Sequence, residues 1–392
     1  MERPGDLAPN PGRPARLSAL DVMRGLVMVL MAVDHAGAAF DADHLGTDSR
    51  AMATLGGELP LGHFLTRWIT HLCAPTFVFL AGASLALSLE RGGSRRDMAL
   101  RGLLIVVLEV TVVSASWTPL IGPMITLQVL YAIGLSMIAM SVLSRLPTGA
   151  LMALALAWLV GGEWVTMQGW NGTFGGNSWT PTLLFGMGFF PSAVSLPGLG
   201  ALPVIVLYPL LPWLAMMMLG WVFGRHCQRC RAQGRSAAPT LLAWGTAGLV
   251  LFAVLRGLGS YGDMGLPRED GSLAQWLRVS KYPPSLTFVA LELGLMALIL
   301  GGLMRWHDRR AAPTSDRAPL LVFGQTALFF YLLHIPLLTL TGLAFPGLRT
   351  GGTGGLLATW VGAAVVLAIL YVPCRVWRSY KRAHPGGPAR FL

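Results

Sequence analysis

Leu20-Asp21-Val22-Met23-Arg24-Gly25, followed after eight apolar residues by Asp34-His35-Ala36-Gly37, decides how the rest of the chain is read. The run 17–40 is hydrophobic apart from an acid–base pair near its start and a carboxylate–imidazole pair near its end. About 20 such residues cross a bilayer, so the run predicts a membrane-spanning helix. Ionisable groups inside a span are costly to bury and mark function by default. Asp21 and Arg24 lie three apart on one helix face and can pair. That pair serves either as an anchor at the membrane surface or as a ligand for a charged group.

The chain outside this run has the same character. Of its 392 residues, 54% are hydrophobic and 12% charged, against roughly 25% charged in a soluble domain, and the mean hydropathy is +0.60. Ten spans are predicted, at 17–40, 68–90, 97–116, 122–144, 149–169, 203–225, 239–258, 284–306, 319–341 and 353–375. The fold class expected is all-α: a polytopic bundle of about ten transmembrane helices. The net charge of +11 does not indicate nucleic acid, because Lys and Arg sit in short loops between apolar runs. Alternate loops are basic (Arg91, Arg95, Arg96 and Arg101; Arg225, Arg229, Arg231 and Arg235; Arg375, Arg378, Lys381 and Arg382), which predicts that both termini are cytoplasmic. Residues 1–15 are polar and Pro-rich and read as a disordered cytoplasmic segment without a cleavable signal. Residues 16–380 form one membrane domain, and 381–392 a basic cytoplasmic tail.

This orientation assigns each polar residue a depth. Asp34, His35, His71, Glu109, Gln128, Glu163, Arg256, Glu292 and His334 fall toward the outer half. The clustering predicts a polar cavity opening outward beneath the loop 41–67, which carries Asp41, Asp43, His44, Asp48, Glu58 and His63. His334 is either part of that cavity or a satisfied buried histidine. Two further outer loops, 169–202 (Trp170, Asn171, Trp179) and 257–283 (Asp263, Glu269, Tyr282), mix aromatic, acidic and amide groups. Such groups either stack on a sugar or form an interfacial belt.

A histidine beside a carboxylate is a general-base unit. Ser84, in Gly82-Ala83-Ser84, reads as a small residue on a helix rather than a nucleophile, since GxSxG is absent. No phosphate-binding glycine loop occurs. Asp34/His35 and Asp43/His44 are candidate metal ligands, but adjacent helical residues point about 100° apart, and no metal is expected. Cys227 and Cys230, beside His226 in a basic loop, read as reduced thiols. What remains is acyl transfer or proton-coupled transport, the latter relaying protons through Asp34, Glu109, Glu292 and His334.

Several segments together resemble one family. They are Arg16–Gly25 with the Asp34-His35 end of the same helix, Phe64–Gly82 and Tyr208–Trp213, then Lys281–Leu286 and Phe329–Pro336. In this order they resemble bacterial relatives of the heparan-alpha-glucosaminide N-acetyltransferase catalytic domain, a branch of the transmembrane acyltransferases that include the acyltransferase-3 proteins. The resemblance implies transfer of acetyl from cytosolic acetyl-CoA to an amino sugar or other glycan across a bacterial inner membrane. It implies a catalytic histidine just beyond the first helix, near His44, assisted by an asparagine position that falls on Asp34. His35 and His71 are competing bases. Asp21, Arg24 and Arg67 are the expected contacts of acyl-CoA, and Glu109, Gln128, Glu292, His334 and Tyr282 those of the acceptor. The other expected partners are membrane lipid and, as an open possibility, a second copy of the chain.

Overall fold

The computed structural model describes residues 18–44, 60–169, 178–196, 200–266, 268, 270–309, 315–384 and 386–387. The order of elements begins with α1 (Ser18–Phe40), α2 (Leu61–Thr70), α3 (Cys73–Glu90) and α4 (Arg95–Leu108). A single π-helical turn, Glu109–Val113, joins α4 to α5 (Ser114–Ile121). Then come β1 (Ile125–Leu127), α6 (Val129–Leu143), α7 (Thr148–Gly169), α8 (Trp179–Leu184), β2 (Gly188–Leu196) and β3 (Gly200–Val206). The chain continues with α9 (Leu210–Ala232), α10 (Ala238–Leu258), α11 (Leu273–Leu277), α12 (Leu286–Asp308), α13 (Pro319–Gln325), α14 (Ala327–Ala344) and α15 (Gly352–Ala383).

The architecture is a polytopic helical bundle. Eight runs among the described residues are long and apolar enough to cross a membrane, with Leu61–Glu90 and Arg95–Ile121 each taken as one. α6 is shorter, at 15 residues. α1 lies at the centre, packed on α3, α12, α13, α14 and α15, while α3 lies along α9 and α10 along α12. The crossings depend on small residues, as expected where van der Waals fit replaces a hydrophobic driving force. A Cβ on Gly25 would stand 1.8 Å from the Leu320 carbonyl oxygen, and one on Gly324 would stand 1.8 Å from that of Asp21. These two glycines let α13 lie directly on the Asp21–Arg24 turn.

Four sequence expectations are corrected. The helix expected from 68 begins at Leu61, inside the expected loop, and is interrupted between Thr70 and Cys73. Pro75 explains the interruption, because its ring excludes the hydrogen bond to residue 71. The expected span 122–144 starts as extended chain, with Gly122 at φ 79° and β1 preceding α6. The expected loop 169–202 contains α8 and β2. β3, whose residues were expected to open the span 203–225, pairs parallel with β1 and antiparallel with β2. The helix there runs later, to Ala232, so Cys227 and Cys230 are buried on α9 rather than in a loop.

The basic loops meet at one end of the bundle. Arg95 Nε donates to Ser144 Oγ (3.1 Å), Gln228 Nε2 to the Ala86 carbonyl (2.8 Å), and Ser236 Oγ to Asp308 Oδ2 (2.6 Å). At this end Arg382 donates to both oxygens of Asp316, each at 3.2 Å, and holds that carboxyl below the usual carboxylate range.

Candidate active site

At the far end of α1, Asp34 gathers groups from three parts of the chain. Arg67 Nη1 donates to its Oδ1 at 2.5 Å, and the Thr70 hydroxyl lies 2.8 Å from the same oxygen. That hydroxyl is also 2.7 Å from the Arg67 carbonyl, and its single hydrogen serves one acceptor at a time. His44 returns over the helix so that its Nε2 is 3.8 Å from Asp34 Oδ1. The return is possible because Gly37 has no side chain: a Cβ there would meet His44 Nδ1 at 2.3 Å. Lys281, buried, adds a positive charge that acts on Asp34. Lys281 Nζ also lies 5.1 Å from the centre of the Tyr282 ring, whose hydroxyl is 3.5 Å from that of Tyr208.

His35 faces another way, toward α14. Its Nδ1 is 2.7 Å from His334 Nε2, and the rings stack at 4.9 Å. His334 Nδ1 lies 3.1 Å from the Phe330 carbonyl oxygen, which can only accept. The network therefore assigns the protons: His334 carries its hydrogen on Nδ1, so its Nε2 accepts, and His35 carries its hydrogen on Nδ1. This leaves a lone pair on His35 Nε2. Trp117 and Tyr331 stand edge-on to the His35 ring at 5.3 and 6.1 Å. Among the described residues, the indole Nε1 of Trp117 and the hydroxyl of Tyr331 are buried without a hydrogen-bond partner.

The large cavity lies on the other side of this pair. It holds about 570 Å³ and is lined by Asp21, Arg24, Ser84, Arg101, Lys381 and Tyr331 among others. This cavity lies at the basic end of the bundle, and residues 45–59 of the loop expected over an outward cavity lie outside the described residues. Arg24 is fixed on its wall by Asp21 Oδ1 (2.8 Å), Ser84 Oγ (2.9 Å) and the Gly324 carbonyl (3.2 Å). Gln325 Nε2 donates to the second Asp21 oxygen at 3.1 Å. Arg101 Nε is buried without a partner. The far wall of the cavity is Tyr331, which touches both histidines of the pair.

The structure brings Asp34, His44 and Arg67 together, and His35 with His334. Arg67, expected at acyl-CoA, is engaged by Asp34 instead. The Glu109 carboxylate accepts from the backbone N–H groups of Gln128 (3.2 Å) and Leu130 (3.0 Å), which caps α6 rather than facing an acceptor. Glu163 likewise accepts from Gly262 and Met264 N–H (3.1 and 2.8 Å), and Arg256 donates to Asp263 and three carbonyls of the same loop. His71 packs edge-on against Phe288, one turn from the buried Glu292. Asp48, Glu58, Trp170, Asn171 and Glu269 lie outside the described residues. Sequence reading missed Thr70, Trp117, Tyr331 and Arg101, and it took Ser84 for a small residue although its hydroxyl holds Arg24. Apolar periodicity could not single out these residues. The break at Pro75 was the one available hint for Thr70.

The structure is a helical membrane bundle with a cavity lined by Arg24, Arg91, Arg101 and Lys381 and with the His35–His334 pair beside Tyr331. Residues 16–254, well over half of the chain, match the family described as heparan-alpha-glucosaminide N-acetyltransferase, catalytic. The chain belongs to this family. No curated protein matches the chain significantly. The matched part carries Asp34, His35, His44 and Arg67, whereas Lys281, Tyr331 and His334 come from helices and loops beyond it.

Proposed function

We propose that the protein moves an acetyl group from acetyl-CoA, taken up at the basic end of the bundle, to the amine of an amino sugar presented at the opposite end. The observation that carries this reading is the continuity from the cavity to the His35–His334 pair through Tyr331. The cavity volume, about 570 Å³, lies within the range of roughly 300–1,000 Å³ typical of small-ligand and cofactor sites. Arg91, Arg101 and Lys381 on its wall suit the phosphates of coenzyme A, while Arg24 is partly neutralised by Asp21. The pantetheine arm then lies along Met28, Leu130 and Tyr331, with the thioester beside the imidazoles. The basic loops at this end support a cytosolic side by the positive-inside rule.

His35 Nε2 is the base in this mechanism. It takes a proton from the acceptor ammonium-derived amine as the nitrogen attacks the thioester carbonyl, and His334 holds it in the required tautomer. The Tyr331 hydroxyl and Trp117 N–H, both lacking partners, suit the oxyanion that develops on the carbonyl oxygen. Collapse breaks the C–S bond, and the imidazolium returns its proton to the coenzyme A thiolate. One amide bond forms and one thioester is lost.

A second assignment is favoured by the His44–Asp34 approach of 3.8 Å: His44 as base, with Asp34 stabilising its charged form. Acetyl transfer from labelled acetyl-CoA to glucosamine, measured with His35→Ala and His44→Ala, tests both. The base is the residue whose loss lowers kcat by at least about 10²-fold. Full activity in both variants refutes acid–base catalysis at this site.

A further inference from the structure

We propose that Asp41, Asp43 and His63 form a binding site for one divalent transition-metal ion, Zn²⁺ by the chemistry of the donors. A ligand atom from each of the three lies within 4.8 Å of the other two. This cluster stands where α1 ends and α2 begins, away from the histidine pair and the cavity.

His63 is the observation that asks for an occupant. It is 6% exposed, and among the described residues Nδ1 has no hydrogen-bond partner while Nε2 has only an ion pair with Asp41. A buried imidazole so poorly satisfied is rare, because an unsatisfied group carries a desolvation cost. Its Nε2 faces Asp41 Oδ2 at 3.3 Å. Two ligands each about 2.0 Å from a tetrahedral Zn²⁺ stand about 3.3 Å apart, so this separation already fits a shared ion. The other oxygens are assigned: Asp41 Oδ1 accepts from Asp43 N–H (3.0 Å), and Asp43 Oδ2 accepts from Gly352 N–H (2.7 Å). Asp41 Oδ2 is left to face His63 Nε2, and a carboxylate oxygen of Asp43 lies within 4.8 Å of both residues' ligand atoms. One imidazole with two carboxylates suits Zn²⁺ better than Ca²⁺ or Mg²⁺, which favour oxygen alone.

The cradle is braced before any ion arrives. Ala42 N–H donates to the Thr350 carbonyl (3.0 Å), and Thr350 N–H to that of Phe40 (3.1 Å). Gly355 leaves room for the Asp41 carboxylate, since a Cβ there would stand 2.7 Å from Asp41 Oδ1. An ion at this point ties together the ends of α1, α2 and α15. Because Asp43 precedes His44, it also fixes the turn that carries His44 back to Asp34. Asp41, Asp43 and His63 are therefore positioning residues.

Equilibrium dialysis of the full-length protein in detergent against radioactive Zn²⁺ tests the site, with His63→Ala as comparator so that binding at Cys227 and Cys230 cancels. The expected result is one more Zn²⁺ per chain in the wild type than in His63→Ala, not displaced by excess Ca²⁺. Wild type should also melt higher in Zn²⁺ than in EDTA, while the variant melts alike in both. If His63→Ala does not fold, Asp43→Asn, at the exposed rim, is the comparator under the same criterion. Equal Zn²⁺ in wild type and comparator overturns the site and leaves His63 paired with Asp41 alone. Displacement by Ca²⁺ overturns the choice of metal.

Discussion

Replacing Asp34 by Ala tests the pair that closes the outer end of the site. Asp34 and Arg67 side chains are only 14% and 13% exposed, and they meet at 2.5 Å. Removing one member of a buried pair costs about 3–5 kcal/mol, because the other charge keeps its desolvation penalty. Arg67 retains further contacts, which moderates the loss, whereas Lys281, of the same sign and also deprived of Asp34, adds to it, so at least about 3 kcal/mol is expected. That is roughly a hundredfold shift in the folding equilibrium. Denaturant unfolding of the purified protein in mixed micelles reads it directly. The double variant Asp34→Leu/Arg67→Leu removes both charges together and should recover most of the loss. A single variant within about 1 kcal/mol of wild type, or a double variant no better than the single, would refute the assignment of a desolvated pair.

Three other outcomes follow from the same contacts. His334→Phe keeps the stacked ring but removes the acceptor for His35 Nδ1, so kcat should fall by roughly 10²-fold while KM for acetyl-CoA stays put; unchanged kcat in steady-state assays would reduce His334 to packing. Arg101→Gln should raise KM for acetyl-CoA about tenfold at constant kcat, the expected loss for one charged hydrogen bond. Gly324→Val drives a Cβ to 1.8 Å from the Asp21 carbonyl and should abolish stable protein in the membrane fraction, whereas Gly302→Ala, with open space beside it, should accumulate normally.

The helical bundle was legible because apolar runs of span length leave few alternatives in a chain this poor in charge. Asp34 and His35 were legible for the same reason, being ionisable groups that follow nine apolar or glycine residues after Arg24. The small sheet was not, since Ile125–Leu127 and Gly200–Val206 are as apolar as the helices they adjoin, and only their long-range pairing makes them strands. Nor could the sequence connect His35 with His334 across 299 positions, or show that Glu109 turns back to cap α6. The cavity at the basic end was not legible for a related reason. Depth along a helix locates polar side chains, but not the space left between helices that Arg24, Ser84 and Arg101 line.

Vectorial transfer is the claim most open to direct measurement. In vesicles reconstituted with one orientation, verified by cleavage of a terminal tag, labelled acetyl-CoA is enclosed on the side of the termini and glucosamine is supplied on the other. The account predicts labelled N-acetylglucosamine on the glucosamine side, made by wild type and not by His35→Ala. Product formed only when donor and acceptor share a compartment would contradict it.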